Sequence, residues 1–170
     1  MAVSDYLLEL KGPQVKGESQ DKQYKDGIEV DSWSWSGHNA STHRFGSGGG
    51  AGKCSLGDMQ LSKSIVDSAT VTLFSMLCKG THVKEAILHC RKKGGGKEGS
   101  EQVEFLKISM KNCTISSLSL GGHGSATGVS ESVSIAYEEI KFEYTKQKDD
   151  GTKDATVQGG WNVSKNAEAA

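Results

Sequence analysis

Residues able to do chemistry are plentiful in this chain, and their spacing decides which of them can act together. The run Gly46-Ser47-Gly48-Gly49-Gly50-Ala51-Gly52-Lys53-Cys54 has the composition of a phosphate-cradling loop. A P-loop, however, needs a glycine where this chain has Ser47 and a magnesium-binding Ser or Thr where it has Cys54. It also leads from a strand into a helix, whereas Ser55-Leu56-Gly57-Asp58-Met59 reads as strand. Gly46, Gly48, Gly49, Gly50, Gly52 and Lys53 therefore read as a flexible protruding loop reaching toward a neighbouring subunit or ring, and no cofactor is expected. His38 and His43 are five apart, His82 and His123 stand alone, and His89 adjoins Cys90. Neighbours on a strand face opposite sides, so His89 and Cys90 do not share an ion, and no metal centre is expected. The chain has no G-x-S-x-G, no H-E-x-x-H and no activated-cysteine context, and Glu138-Glu139 and Asp149-Asp150 suit bulge and turn positions. No catalytic residue is assigned, and the chain does not read as an enzyme. Trp33 and Trp35, two apart in the strand-like stretch Ile28 to Trp35, share one sheet face and commit it to a large apolar contact. With no basic residues interleaved, packing in a core or subunit interface suits them better than stacking on bases or sugars.

The elements that would position these residues are mostly strands. Twenty-two glycines against the single Pro13 gather at 46–52, 94–99, 121–128 and 159–160, and strand-like runs lie between. Tyr6 to Leu10, Ile28 to Trp35, Leu56 to Lys63, Val83 to Lys92, Val103 to Leu120 and Glu131 to Lys146 are the predicted strands. Two of them change parity. Leu106, Ile108 and Met110 fall on even positions but Cys113 and Ile115 on odd ones, which requires a turn or bulge near Lys111-Asn112. Val133, Ile135 and Tyr137 are odd while Ile140, Phe142 and Tyr144 are even, which puts a second reset at Glu138-Glu139. Such resets bend strands and suit a closed or strongly curled antiparallel barrel. Between Ser68 and Lys79, Val71, Leu73, Phe74, Leu77 and Cys78 fall at helical spacing, with Ser68 to cap the start and Gly80 to end it.

At 170 residues the chain fits one domain, 1–170, able to bury one core. Its 20 Lys+Arg against 21 Asp+Glu leave a net charge of -1, which argues against nucleic acid or an acidic membrane as partner. Met1 to Tyr6 carry no basic or apolar leader features and no apolar run is long enough for membrane insertion, so the expectation is cytoplasmic synthesis without a signal peptide. Cys54, Cys78, Cys90 and Cys113 show no metal or redox spacing and read as reduced, mostly buried thiols.

Several separated segments, in order, carry a resemblance over about Tyr6 to Asn166: Lys16-Gly17-Glu18-Ser19, Glu29-Val30, Trp33-Ser34-Trp35, Gly52-Lys53, Ser68 with Leu73-Phe74, Leu106 with Ile108, Ser116-Ser117, Ser130-Glu131-Ser132-Val133 and Gly160-Trp161. In these the chain resembles the Hcp family (haemolysin-coregulated protein), the secreted tube protein of bacterial type VI secretion. Departures are Gly27, where many members carry a bulky apolar residue, and a helix start without the proline common there.

The resemblance implies a mainly β fold, a curled two-sheet antiparallel β-barrel with one short flanking α-helix. It implies a homo-hexamer whose stacked rings form a hollow tube, expelled with a spike protein by a contractile sheath and able to carry small effectors in its lumen. Secretion would then follow the type VI route. The family's loop after the paired serines approaches the lumen, which points to Gly121, Gly122, His123 and Gly124 as lumen-facing. Near-zero net charge suits stacking of many copies. Two other readings stand beside this one: a monomeric or dimeric β-barrel ligand-binding module using the Trp33/Trp35 face or the glycine loops, and a remote hydrolase using Ser and His from separate loops.

Overall fold

The computed structural model describes residues 4–41, 51–93, 102–124 and 128–170. Twelve strands and one helix run along them: β1 Ser4–Lys11, β2 Ile28–Val30, β3 Ser32–Ser34, β4 Gly37–Ser41, β5 Ala51–Leu56, β6 Met59–Lys63, α1 Ser68–Lys79, β7 Val83–Lys93, β8 Gln102–Gly122, β9 Val129–Ala136, β10 Glu139–Gln147, β11 Lys153–Asn162 and β12 Ala167–Ala169. All the pairings are antiparallel.

The 21-residue β8 belongs to two sheets. Its first part lies within the order β12-β11-β10-β8-β7-β1-β2, and its second pairs β9, which continues through β6 to β3. The changeover sits at Asn112, whose φ of 50° turns the chain where the parity of apolar residues required a reset. The second reset is a strand break: β9 ends at Ala136, β10 begins at Glu139, and the chain crosses from one sheet to the other between them. The same geometry splits the predicted strand Ile28 to Trp35. β2 pairs β1 in the first sheet and β3 pairs β6 in the second, so the chain changes sheets at Asp31, whose N–H donates to the Ser62 carbonyl at 2.9 Å. No ladder joins β2 to β3, so the curled two-sheet barrel is completed by the chain itself rather than closed by hydrogen bonds.

Alternation fills the interior. Met59 and Leu61 of β6, Ile108 and Met110 of β8 and Val133 and Ile135 of β9 are buried between the sheets. In β7 the buried run is continuous from Ala86 to Arg91, because its second face lies under the segment 12–27 that joins β1 to β2. A Cβ at Gly17 of that segment would meet the Gly27 carbonyl at 2.4 Å, so only glycine lets the two passes approach.

Helix α1 has the predicted bounds but a different cap. Asp67, not Ser68, is the N-cap: its side chain accepts from the Thr70 N–H while the Thr70 hydroxyl accepts from the Asp67 N–H. Gly80, in the left-handed conformation, ends the helix. The predicted stripe also divides. Ala69, Leu73 and Met76 enter the core, whereas Val71, Phe74 and Cys78 face outward. Of the predicted strand Leu56 to Lys63, Met59 to Lys63 form β6 while Leu56 ends β5, and β4, the rest of β5, β11 and β12 escape the predicted strands.

Candidate functional site

Four groupings of side chains give the barrel its chemical character. The first is the outer face of the second sheet. Cross-strand register aligns Ser34, Gln60, Ser134 and Ser117 in one row and Ser32, Ser62, Ser132 and Ser119 in the next. Alternation sends Trp33, Leu61, Val133, Ile115 and Leu118 inward and leaves these hydroxyls outside. Ser117 donates to Ser134 at 2.7 Å and Ser134 donates to the Gln60 side-chain carbonyl. The result is an uncharged hydroxyl surface four strands wide. Gly121 and Gly122 end β8 at its border, His123 and Gly124 follow, and all four are exposed.

The second grouping joins several of the sequence motifs. Lys63 is buried and places Nζ 2.8 Å from Asp67 and 3.3 Å from Glu131. The Thr70 hydroxyl donates to the same Glu131 oxygen, and the Ser68 N–H donates to Glu18. Lys16-Gly17-Glu18-Ser19, Ser68 and Ser130-Glu131-Ser132-Val133 thus meet at the start of α1 and tie it to the barrel. Their role is positional. Sequence reasoning missed Lys63, since a lysine in register with Met59 and Leu61 was the only local signal that it faces inward.

The third grouping fastens the segment 12–27. Arg91, 2 % exposed, bonds Asp5 through Nε and Nη2 and Asp21 through Nη1 and Nη2, and also reaches Gln23. Tyr24 stacks on His89 with centroids 4.2 Å apart and donates to Glu104 at 3.0 Å. His89 lies between Glu104 and Glu9, at 2.5 and 2.7 Å. Hydrogen bonding to Arg91 holds the Asp21 carboxyl at about 2, well below its ordinary 3.8. A depressed carboxylate adds stability above its unfolded value and loses it as pH falls through the folded one, so the clamp should persist on acidification and release between about pH 4 and pH 2. An NMR titration of Asp21 checks this; a midpoint near 4 in the intact protein would sink it.

The fourth is aromatic. Trp33 meets Tyr6 edge-on at 6.4 Å, and Trp35 meets Phe142 at 5.1 Å. Trp35 donates through Nε1 to the Tyr137 hydroxyl at 2.7 Å, which donates to the Gly57 carbonyl at 2.7 Å. Both tryptophans are half-buried against the core. An open groove of about 440 Å³ lies between the β4–β5 ribbon and β10–β11, lined by Trp35, Leu56, Phe142 and Trp161 among others.

The glycine-rich run divides. Gly46, Gly48, Gly49 and Gly50 lie outside the described residues, while Gly52 and Lys53 belong to β5 rather than to a protruding loop. A Cβ at Gly52 would stand 2.1 Å from the Ala40 carbonyl, so close strand approach demands glycine there. His89 and Cys90 do face opposite ways, and His82 bonds Asn112 at 3.2 Å. Among the described residues no group of three or more His, Cys, Asp or Glu is placed to hold a metal. Half of the thiols are buried, not most: burial pushes Cys90 and Cys113 up to about 12, whereas Cys54 is partly exposed and Cys78 exposed. No helix of the described residues is long and apolar enough to cross a membrane.

The fold is a two-sheet antiparallel β-barrel with one helix, held by buried ion-pair knots and carrying one hydroxyl face. The family model for the type VI secretion system effector Hcp matches residues 7–144, and the chain belongs to that family. It is 38% identical over 156 residues to protein hcp1 of Pseudomonas aeruginosa, covering 91% of this chain and 93% of that one. A solved type six secretion system protein superposes with a TM-score of 0.88 at 25% identity, covering 98% of this chain and all of that one. Hcp1 from Salmonella typhimurium does so with 0.74 at 28%, covering 99% and 100%. The family is one of structural tube proteins secreted by the type VI system, not of enzymes.

Proposed function

We propose that this chain is the subunit of an inner tube: six copies close into a ring, and rings stack into a hollow conduit that carries small effectors and is expelled with its spike by the contracting sheath. Family membership is the observation that carries this reading. The subunit is made in the cytoplasm, assembles there and leaves by the type VI route. The hydroxyl face of the second sheet lines the lumen, with Gly121, Gly122, His123 and Gly124 at its border. What supports this placement is the absence of charge across two rows of serines, which lets cargo pass without a strong electrostatic trap. The segment containing Gly46, Gly48, Gly49 and Gly50, with Gly52 and Lys53 at its base, meets a neighbouring subunit or ring.

Native mass spectrometry of the purified protein at micromolar concentration tests the ring: a mass of six subunits is the expected result, and a monomer across ordinary salt removes the reading. His123→Arg should keep the ring and lower cargo retention, because a bulky cation then projects from the border of the hydroxyl face. A broken ring, or unchanged cargo, removes the lumen placement. The aromatic groove beside Trp35 favours a second reading, a monomeric or dimeric ligand-binding module. A chain that is monomeric or dimeric in the same measurement and binds a small apolar ligand there would establish it.

A further inference from the structure

His89 is 5% exposed and meets a carboxylate at each ring nitrogen: Nε2 lies 2.7 Å from Glu9 of β1 and Nδ1 2.5 Å from Glu104 of β8. An ionised carboxylate only accepts, so both nitrogens must donate, and only the imidazolium carries two N–H groups. A neutral ring would turn a lone pair toward one of the two carboxylates. The face of the same ring stacks on Tyr24 of the segment 12–27, with 4.2 Å between centroids and a tilt of 32°. A cationic ring is drawn to the tyrosine face, and a neutral one loses that attraction. Tyr24 also donates to Glu104 at 3.0 Å, so imidazole, carboxylate and phenol close a triangle that joins β7, β8 and the segment.

Among the described residues, charged and titratable groups face this ring from every element packed on it. On β1, Glu9 has Lys11 at 3.9 Å. On β8, Lys107 stands opposite His89 in the ladder but bonds Glu143 at 3.0 Å. On β7 itself, Arg91 lies 5.2 Å from the centre of the Tyr24 ring and is taken up by Asp5 and Asp21. From the segment, Lys25 and Asp26 share with Glu9 and Tyr24 a cavity of about 300 Å³. Burial pushes the Glu104 carboxyl up, but the bond and charge of His89, the Tyr24 hydroxyl and Lys107 together hold it below its ordinary value, so it stays an acceptor. Burial and the Glu104 charge push the Tyr24 phenol above its ordinary range, so it stays a donor.

We propose that His89 is a charge-operated latch: its imidazolium fastens the segment 12–27 to the first sheet, and loss of the second ring proton to solvent loosens that segment. A contact that needs the protonated ring is present on the acid side and is lost as pH rises through the His89 titration. The clamp of Asp21 on Arg91 has the opposite sign, since it is lost in acid, so the two fastenings guard opposite ends of the pH range. The segment they hold also reaches the helix: Glu18 accepts from the Ser68 N–H, and the Lys16 carbonyl accepts from the Ser68 hydroxyl.

Hydrogen exchange of the full chain, corrected for the intrinsic pH dependence of amide exchange, tests the latch when isotope-labelled histidine reports the His89 midpoint by NMR. The amides of Gly17, Ser19 and Asp26, which bond within the segment, should lose protection roughly tenfold as pH rises through that midpoint, while Leu88 in the middle of β7 keeps its own. In Glu104→Gln the side-chain amide can accept from Tyr24 and also donate to a neutral Nδ1, so the loss should shrink below about threefold. In His89→Gln no ring titrates and the step should vanish. Wild-type protection that stays flat across the His89 midpoint overturns the latch whatever the variants do. A full wild-type step in Glu104→Gln, or a step at the same pH in His89→Gln, overturns it as well, because the switch would then lie in another group.

Discussion

Trp35→Ala should destabilise the barrel by about 3 kcal/mol, the lower end of the range for truncating a core tryptophan, because the ring is half-buried. Three contributions add. The indole loses its apolar contact with the core, the edge-on meeting with Phe142 disappears, and the Tyr137 hydroxyl loses the Nε1 donor at 2.7 Å while keeping its own bond to Gly57. For a domain of this size that loss lowers the melting temperature by roughly 6–12 °C. Differential scanning calorimetry measures it. An unchanged melting temperature in a variant that has lost a specific ligand would instead make Trp35 a binding residue.

Lys63→Met should cost about 3–5 kcal/mol, since it removes the cation and leaves Glu131 and Asp67 facing each other's surroundings without compensation. Glu131 is 1% exposed; among the described residues its Oε1 has no hydrogen-bond partner, and its Oε2 would keep only the Thr70 hydroxyl. Adding Glu131→Gln should recover part of the loss, because the buried charge goes while the bond from Thr70 is kept. The comparison of single and double variants by urea unfolding isolates the coupling. If the double variant is as unstable as the sum of the two single ones, Lys63 and Glu131 act independently and the knot does not hold the start of α1 through their charge.

The two parity changes were legible because alternation is a local rule. Met110 to Cys113 and Tyr137 to Ile140 cannot both stay on one face of an unbroken strand, and the structure turns the chain at Asn112 and breaks it before Glu139. The bounds of α1 were legible for the same reason, but not its cap. Asp67 and Ser68 are both good cap residues, and only the reach of Asp67 to the Thr70 N–H and to Lys63 decides between them. The outward turn of Val71, Phe74 and Cys78 was equally hidden, since a broad apolar stripe does not say which of its flanks meets a neighbour. β11 escaped because Lys153-Asp154-Ala155-Thr156-Val157-Gln158 is an edge strand with every residue exposed, and burial is what writes alternation into a sequence.

The groupings that give the barrel its character lie at the other extreme. Thr70 and Glu131 are 61 positions apart, His89 and Glu9 80, Arg91 and Asp5 86. The motifs Lys16-Gly17-Glu18-Ser19 and Ser130-Glu131-Ser132-Val133 could be recognised along the chain, but not that both converge on the start of α1. The serine rows required the register of four strands before they became one surface. The sequence by itself determined the β class, the single helix, the points where strands must change face and the family, because each depends on residues within a few positions or on order along the chain. The tertiary structure alone decided where the barrel stays open, which glycines are steric necessities and which charges are buried together, because each depends on contacts between segments that only folding brings within reach.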